Sequence, residues 1–376
     1  AAVSAPPSGK LTWETVIHHN LGLDLGFFDN RLNLSADLFI RDTKDMLVPG
    51  KMLPGVYGAT PPKENAADLH TKGFELAVSW YDQFNLGNKP FSYNLSFGLS
   101  DSKSVITKFD NPMKEFAKSS YYEGMTIGEI WGYKIDGLFQ TDEEAAAYAK
   151  AVDNSYVCEN IFVTAVGDYK GLQAGDPRYV DIDGSGRDDG EKTADNRGDM
   201  VIIGNKEPRY LYNANIGLSW NGIDISAFFQ GVGRQHRYPD GNNMMFWGGF
   251  ARPYSSFVPA NFLDNVWSEE NPDAYLPKIR GYAAQGNRSL AHKNDRYLQN
   301  IAYCRLKNLT VGYTLPTEWT SKIKLDRLRV YFSGDNLFTW TKLKSDYIDP
   351  EQITVNSDAR TYPFSKVFSF GLDITF

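Results

Sequence analysis

The residues whose types and spacing could do chemistry are concentrated in one acidic loop that starts at Gly175 and carries DIDGSGRDDGEK. Asp181, Asp183, Ser185, Arg187 and Asp189 fall at alternate positions, and Gly186 takes the sixth place of the run. A calcium loop presents its oxygen ligands in this way around a sharp turn, so calcium is the ion this pattern would hold. The twelfth place carries Lys192 in place of a bidentate Glu. Asp195 or Asp199 would have to complete the shell; otherwise the stretch is a solvated acidic turn.

A second kind of chemistry is ring stacking. Trp131, Tyr133, Tyr238, Trp247, Tyr254 and Trp267 sit in long loops, where flat rings can lie against sugar rings or the side chains of a peptide. Such rings equally glue a loop to its neighbours or meet a partner protein. Trp13, Trp80, Trp220 and Trp340 stand at strand ends and read as interface anchors.

Catalysis is not indicated. His18 and His19 are adjacent, so in a strand they point to opposite faces and cannot share a ligand, while His70, His236 and His292 are scattered through loops. No serine sits in a nucleophile elbow, and no phosphate loop, zinc spacing or dinucleotide turn is present. Asp188 with Asp189 and Glu143 with Glu144 are sequence neighbours, which suits a solvated face or a helix start better than an acid and base flanking a bond. Cys158 and Cys304 allow one disulfide at most and are expected to be free thiols.

The elements that must position these groups are strands. The composition, with 33 Gly, 22 Tyr and 23 Phe in 376 residues, favours strands and loops over helices. A net charge of -7 argues against a nucleic-acid binder, which would need a basic face for phosphates. No apolar run approaches the roughly 18 residues a membrane helix needs. The N-terminal stretch AAVSAPPSGK has no signal-peptide pattern, so the chain is expected either to be cytosolic or to have lost its targeting segment.

Period-two alternation runs the length of the chain. Leu21, Leu23, Leu25 and Phe27 alternate with small and polar residues, Asp29-Asn30 turns, and Leu32, Leu34, Ala36, Leu38 and Ile40 return opposite Asn33, Ser35, Asp37 and Arg41. Phe74 to Trp80 and Phe91 to Leu99 repeat the motif around a turn at 85–90, and Tyr210 to Trp220 and Ile223 to Phe229 repeat it around Asn221-Gly222. Further strands are expected over Leu298 to Leu315, Arg327 to Thr339 and Ser365 to Phe376. In the last, Phe368, Phe370, Leu372, Ile374 and Phe376 share one face and the chain stops on an aromatic. Long loops interrupt the rhythm: one of nearly thirty residues after Asp42, the region 105–207, with a helix expected from Asp142 to Val152, the region 234–297, and 341–363.

The pattern gives an all-β chain of about nine strands of membrane length, paired by four short turns at one end and joined by long loops at the other. That asymmetry, with a greasy face and a polar face, describes an antiparallel transmembrane β-barrel with membrane lipid outside and water or ligand inside. An odd strand count with ends on opposite sides cannot close a bacterial barrel, so residues 1–376 are expected to be a piece of something larger. The competing reading is a soluble or surface-exposed β-sandwich that binds glycans as an adhesin, but its strands should be of about 5 to 6 residues.

Several stretches in order, LTWETVIHHNLGLDLG at 11–26, TKGFEL at 71–76, IWGYKIDGLF at 130–139, residues 175–186, LKNLTVGYTLP at 306–316, LRVYFSGDNLFT at 328–339 and the terminal Phe376, resemble the C-terminal part of a SusC/RagA-type TonB-dependent outer-membrane transporter. The resemblance implies a 22-stranded barrel in the cell outer membrane, of which this chain would supply the last strands. The signal, the TonB box, the plug and the earlier strands would lie outside these residues. It further implies a SusD-like surface lipoprotein as a lid over the barrel mouth, energy from the TonB complex through the missing N-terminal region, and oligosaccharide or oligopeptide cargo. Gly371, Ile374 and Phe376 resemble the barrel-assembly signal, with Phe370 where a polar residue is usual. The 234–297 loop and the loop from Gly175 are the expected contacts for lid or cargo.

Overall fold

Alternation carries straight into strands. The computed structural model, which describes residues 8, 11–50, 61–115, 121–154, 157, 171–187, 193–254, 258–286, 288–345, 348–354, 361–362 and 364–376, contains in chain order β1 (Thr15–Phe27), β2 (Leu32–Pro49), β3 (Lys63–Leu86), β4 (Lys89–Lys108), β5 (Glu129–Gly132), β6 (Ile135–Leu138), α1 (Asp142–Ala151), β7 (Pro177–Tyr179), β8 (Val201–Asn205), β9 (Arg209–Trp220), β10 (Ile223–Arg234), β11 (His236–Arg237), α2 (Met244–Trp247), β12 (Gln299–Asn300), β13 (Tyr303–Thr314), α3 (Thr317–Thr320), β14 (Arg327–Thr341) and β15 (Val367–Thr375). The long strands form one antiparallel nine-stranded sheet, ordered β1-β2-β3-β4-β9-β10-β13-β14-β15, which is open with β1 and β15 at its edges.

Register carries each face unbroken across the sheet. One rung reads Phe27, Leu32, Trp80, Leu95, Ile216, Ala227, Leu309, Gly334 and Phe368. The next residue over, on the opposite face, reads Gly26, Asn33, Ser79, Ser96, Asn215, Phe228, Asn308, Asp335 and Val367, almost all small or polar. A one-residue slip in any strand would exchange the faces there, so the alternation itself enforces the register. Among the described residues no second layer covers the apolar face: Leu21, Phe370 and Phe376 are 69%, 84% and 86% exposed.

The turns follow local chemistry. Asn221 and Gly222 both have positive φ, as do Gly87 and Asn88, which is the backbone a two-residue hairpin needs. The first turn is wider than Asp29-Asn30, since Phe28 joins both in the left-handed region. The fourth connection, expected to be short, is not tight: between β13 and β14 the chain passes through α3 and a 3-10 turn at Ser321–Ile323.

Strands also run further than the alternation suggests. β2 continues past Asp42 to Pro49 because Asp45, with φ of 56°, forms a bulge. The Asp68 carboxylate accepts its N–H at 2.9 Å. Pairing therefore persists beyond the break in alternation. Trp80 in turn lies within β3 rather than at its end, and its indole N–H donates to the Tyr93 hydroxyl at 2.9 Å.

The long connections meet at the opposite end from the turns and share one core. Phe139 and Tyr179 from the first, Trp247, Phe250, Tyr297 and Ile301 from the second, and Ile353 from the last are essentially fully buried together. In the first connection α1 starts where expected: the Thr141 hydroxyl accepts the Glu144 N–H, and Asp142, Glu143 and Glu144 occupy the positive end of the helix.

Candidate functional site

The loop body is the site-bearing part of the molecule, and ion pairs between distant segments hold it. Arg280 of the 234–297 region forms paired hydrogen bonds with Asp176 of the acidic loop, each 2.6 Å long. Arg305, 1% exposed on the polar face of β13, reaches Asp349 and also Glu351, the latter at 3.0 Å, and Lys307 pairs with Glu351 at 2.8 Å. Burial alone would push the Glu351 carboxyl up, but Lys307, Tyr303 and Arg305 outweigh it and hold it below its usual range. The last connection is thereby drawn onto the polar face of the sheet. No spacing in the sequence singles out these residues, because the partners are separated by 44 to 104 positions.

Of the six aromatics expected to stack on cargo, Tyr133, Tyr238 and Trp247 share one core, while Trp131, Trp267 and Tyr254 lie apart from it. Trp247 has no exposed surface; Tyr238 and Tyr297 pack against it with ring centres 6.0 and 5.5 Å away. Tyr238 is held by hydrogen bonds to the Leu290 carbonyl and from Asn294, and burial pushes its phenol well above the ordinary range. Tyr133, 4% exposed, packs edge-on against Tyr179 and His292 in the same core. Trp267, 7% exposed, lies against Gly175, whose positive φ and 2.4 Å approach of a built Cβ to the indole leave room for glycine only. Trp131 is half-buried with the Arg197 guanidinium 4.8 Å above its ring. Tyr254 alone of the six presents most of its ring to solvent, at 77%, beside Tyr282 at 6.4 Å.

The acidic loop brings some of its carboxylates together. Asp181, Asp183 and Asp199 place carboxylate oxygens within 4.8 Å of one another. Asp195 does not join them; it pairs with Lys114 at 2.8 Å. The Asp181 carboxylate accepts backbone N–H groups of Gly184, Ser185 and Gly186, which wraps the turn around it. Hydrogen bonds from Ser185 hold the Asp183 carboxyl below its usual range, so it stays ionised at neutral pH. The Ser185 hydroxyl donates to the Arg187 carbonyl at 3.1 Å, and Arg187 turns its guanidinium toward Asp153. Asp189 and Lys192 lie outside the described residues, as does Cys158; Cys304 is a free thiol.

The polar face of the sheet is concave. A groove of about 650 Å³ runs along it past Asp37, Glu75, Ser100, Asn213 and Gln230.

Residues 1–337 match the protein family described as TonB dependent receptor-like, beta-barrel. This chain belongs to the TonB-dependent receptor β-barrel family. TonB-dependent receptor P3 of Formosa agariphila is 28% identical over 98% of this chain and 34% of its own length. TonB-dependent receptor SusC of Bacteroides thetaiotaomicron is 24% identical over 98% of this chain and 32% of its own. A solved structure of the RagAB peptide transporter superposes with a TM-score of 0.65 at 20% identity, covering 97% of this chain and 35% of that one. The chain thus spans about a third of the relatives it matches. TonB-dependent receptors are outer-membrane β-barrels and are receptors rather than enzymes, so the open sheet with its exposed apolar face is barrel wall.

Proposed function

We propose that residues 1–376 supply the C-terminal wall of a 22-stranded transporter barrel and the extracellular loops above it, at 105–207 and 234–297. The whole protein would import oligosaccharides or oligopeptides together with a SusD-like lipoprotein lid, driven by the TonB complex through a part of the receptor outside this chain. The observation that carries this reading is the apolar rung from Phe27 to Phe368, which no second layer covers among the described residues, with a groove past Asp37, Glu75 and Gln230 on the other face. A soluble glycan-binding sandwich would close that rung against a second sheet. The names of the relatives, a SusC receptor and a RagAB peptide transporter, support a lid partner and a nutrient cargo.

Cargo contact is proposed for the exposed side of the loop body. Of the six sequence-derived rings, Tyr254 has the accessible surface for stacking and Trp131 a part of it; Tyr133, Tyr238, Trp247 and Trp267 would act by shaping the body. Calcium is proposed for Asp181, Asp183 and Asp199. A deletion of 243–255 would not test the reading, because that segment carries the core residues Phe246, Trp247 and Phe250. The test is growth of a strain lacking the receptor on a panel of glycans and peptides. Complementation by wild type should restore growth on one cargo class, and Tyr254→Ala should restore it poorly while reaching the outer membrane normally. Restoration on none of the panel by wild type would refute the import reading.

A further inference from the structure

Three cations converge at the base of the loop body without an ion-pair partner among the described residues. Lys206 follows β8, Arg237 lies in β11, and Lys293 precedes β12; the three line one cavity of about 320 Å³ together with Tyr238 and Asp240. Each is mounted on backbone fixed from another segment. The Lys206 N–H donates to the Gly128 carbonyl at 2.7 Å, and its own carbonyl accepts from the Gln235 side chain at 2.9 Å. Arg237 pairs with Gln299, and the Lys293 carbonyl accepts the Tyr133 N–H at 2.8 Å.

Among the described residues none of the three has a carboxylate within ion-pair distance, although the same loops pair Arg178, Arg280 and Arg305 with acids. Asp240 shares the cavity wall, but its carboxylate is turned back on the backbone and side-chain amide of Asn242. Crowding by the loops, with Lys206 and Arg237 facing it, lowers the Lys293 ammonium from its ordinary range, while its side chain keeps access to water through the cavity mouth. Like charges held this way repel one another, in a chain whose net charge is -7, and an incoming anion relieves that repulsion.

We propose that Lys206, Arg237 and Lys293 form a binding subsite for a small oxyanion, a sulfate or carboxylate group. Arg237 supplies the planar fork that matches two oxygens at once, and the two lysines supply point charges. The group can arrive as a free ion or on a saccharide, and the two sources are separable.

The test uses the full-length receptor in detergent at constant ionic strength, titrated calorimetrically with sodium sulfate and, separately, with a galacturonate trisaccharide and its neutral galactose counterpart. Binding of sulfate or of the uronate, with none of the neutral sugar, is expected. Sulfate binding alone assigns the site to a free ion; uronate binding assigns it to a cargo group. Lys293→Gln should weaken the bound anion about tenfold, equivalent to about 1.4 kcal/mol, and Lys293→Arg should retain it. Lys206→Gln, at an exposed position, repeats the measurement without disturbing the loop core. No anion binding, or equal binding by wild type and both Gln variants, overturns the proposal.

Discussion

Arg280 and Asp176 face each other through two parallel hydrogen bonds of 2.6 Å, with their side chains 11% and 1% exposed. The pair joins two long connections separated by more than a hundred positions and sets the acidic loop against the aromatic one. Removing one partner leaves a buried charge alone, which costs about 3–5 kcal/mol. Arg280→Met should therefore loosen the loop body, raising hydrogen exchange at 171–180 and 274–284, while protection in β9 and β10 stays unchanged. Asp176→Leu combined with Arg280→Met should recover much of the loss. Unchanged exchange in the single variant would show that the pair holds nothing.

Trp247 and Tyr254 separate the two roles of loop aromatics. Trp247→Ala should destabilise the loop body by about 3–5 kcal/mol and expose it to trypsin, as expected for a fully buried ring. Tyr254→Ala should leave trypsin resistance intact and lower uptake. Equal protease sensitivity in both variants would remove the distinction.

How much of this was legible in the sequence depends on distance along the chain. The strands and the nine-strand count follow from alternation, because a period of two is a local property and the register repeats it from Phe27 to Phe368. The Asn221-Gly222 turn and the start of α1 at Asp142 are equally local. The extension of β2 to Pro49 escapes alternation because a bulge at Asp45 resets its phase. The loop body is illegible for another reason. A Trp in a long loop reads the same whether it faces cargo or core, and only the meeting of Trp247 with Tyr238 and Tyr297 decides it. The convergence of Lys206, Arg237 and Lys293 has no spacing to betray it at all.

Glu351 ties the last connection to the barrel wall in a pH-dependent way. Its carboxyl is held below the ordinary 4.5 by Lys307, Tyr303 and Arg305 against the opposing effect of burial. A depressed acid contributes stability that is present above its unfolded value and is lost as pH falls through the lower folded one. Amide protection factors at 348–354 should therefore fall as pH drops below about 4.5 and should not change between pH 6 and 8. Glu351→Gln should show the lowered protection already at pH 7; protection factors flat down to pH 3 would contradict the latch.

Asp199 decides the metal reading of the acidic loop. If Asp181, Asp183 and Asp199 hold calcium, millimolar calcium should raise the melting temperature of the full-length receptor and magnesium should do so less, since the site offers several oxygens rather than a rigid octahedron. Asp183→Asn, at an exposed position, should abolish the increment without lowering the metal-free value. Identical melting with calcium and with chelator would assign the loop to solvent.

The orientation of the sheet is tested most directly at Leu95 and Ser96, neighbours in β4 that fall on opposite faces about a third of the way along the strand. Unfolding free energies of the receptor in lipid bilayers should fall by about 2–4 kcal/mol for Leu95→Arg, which places a charge in hydrocarbon, and by about 1 kcal/mol or less for Ser96→Arg, which faces the wet interior. Equal losses, or a larger loss at Ser96, would contradict the account of this sheet as barrel wall.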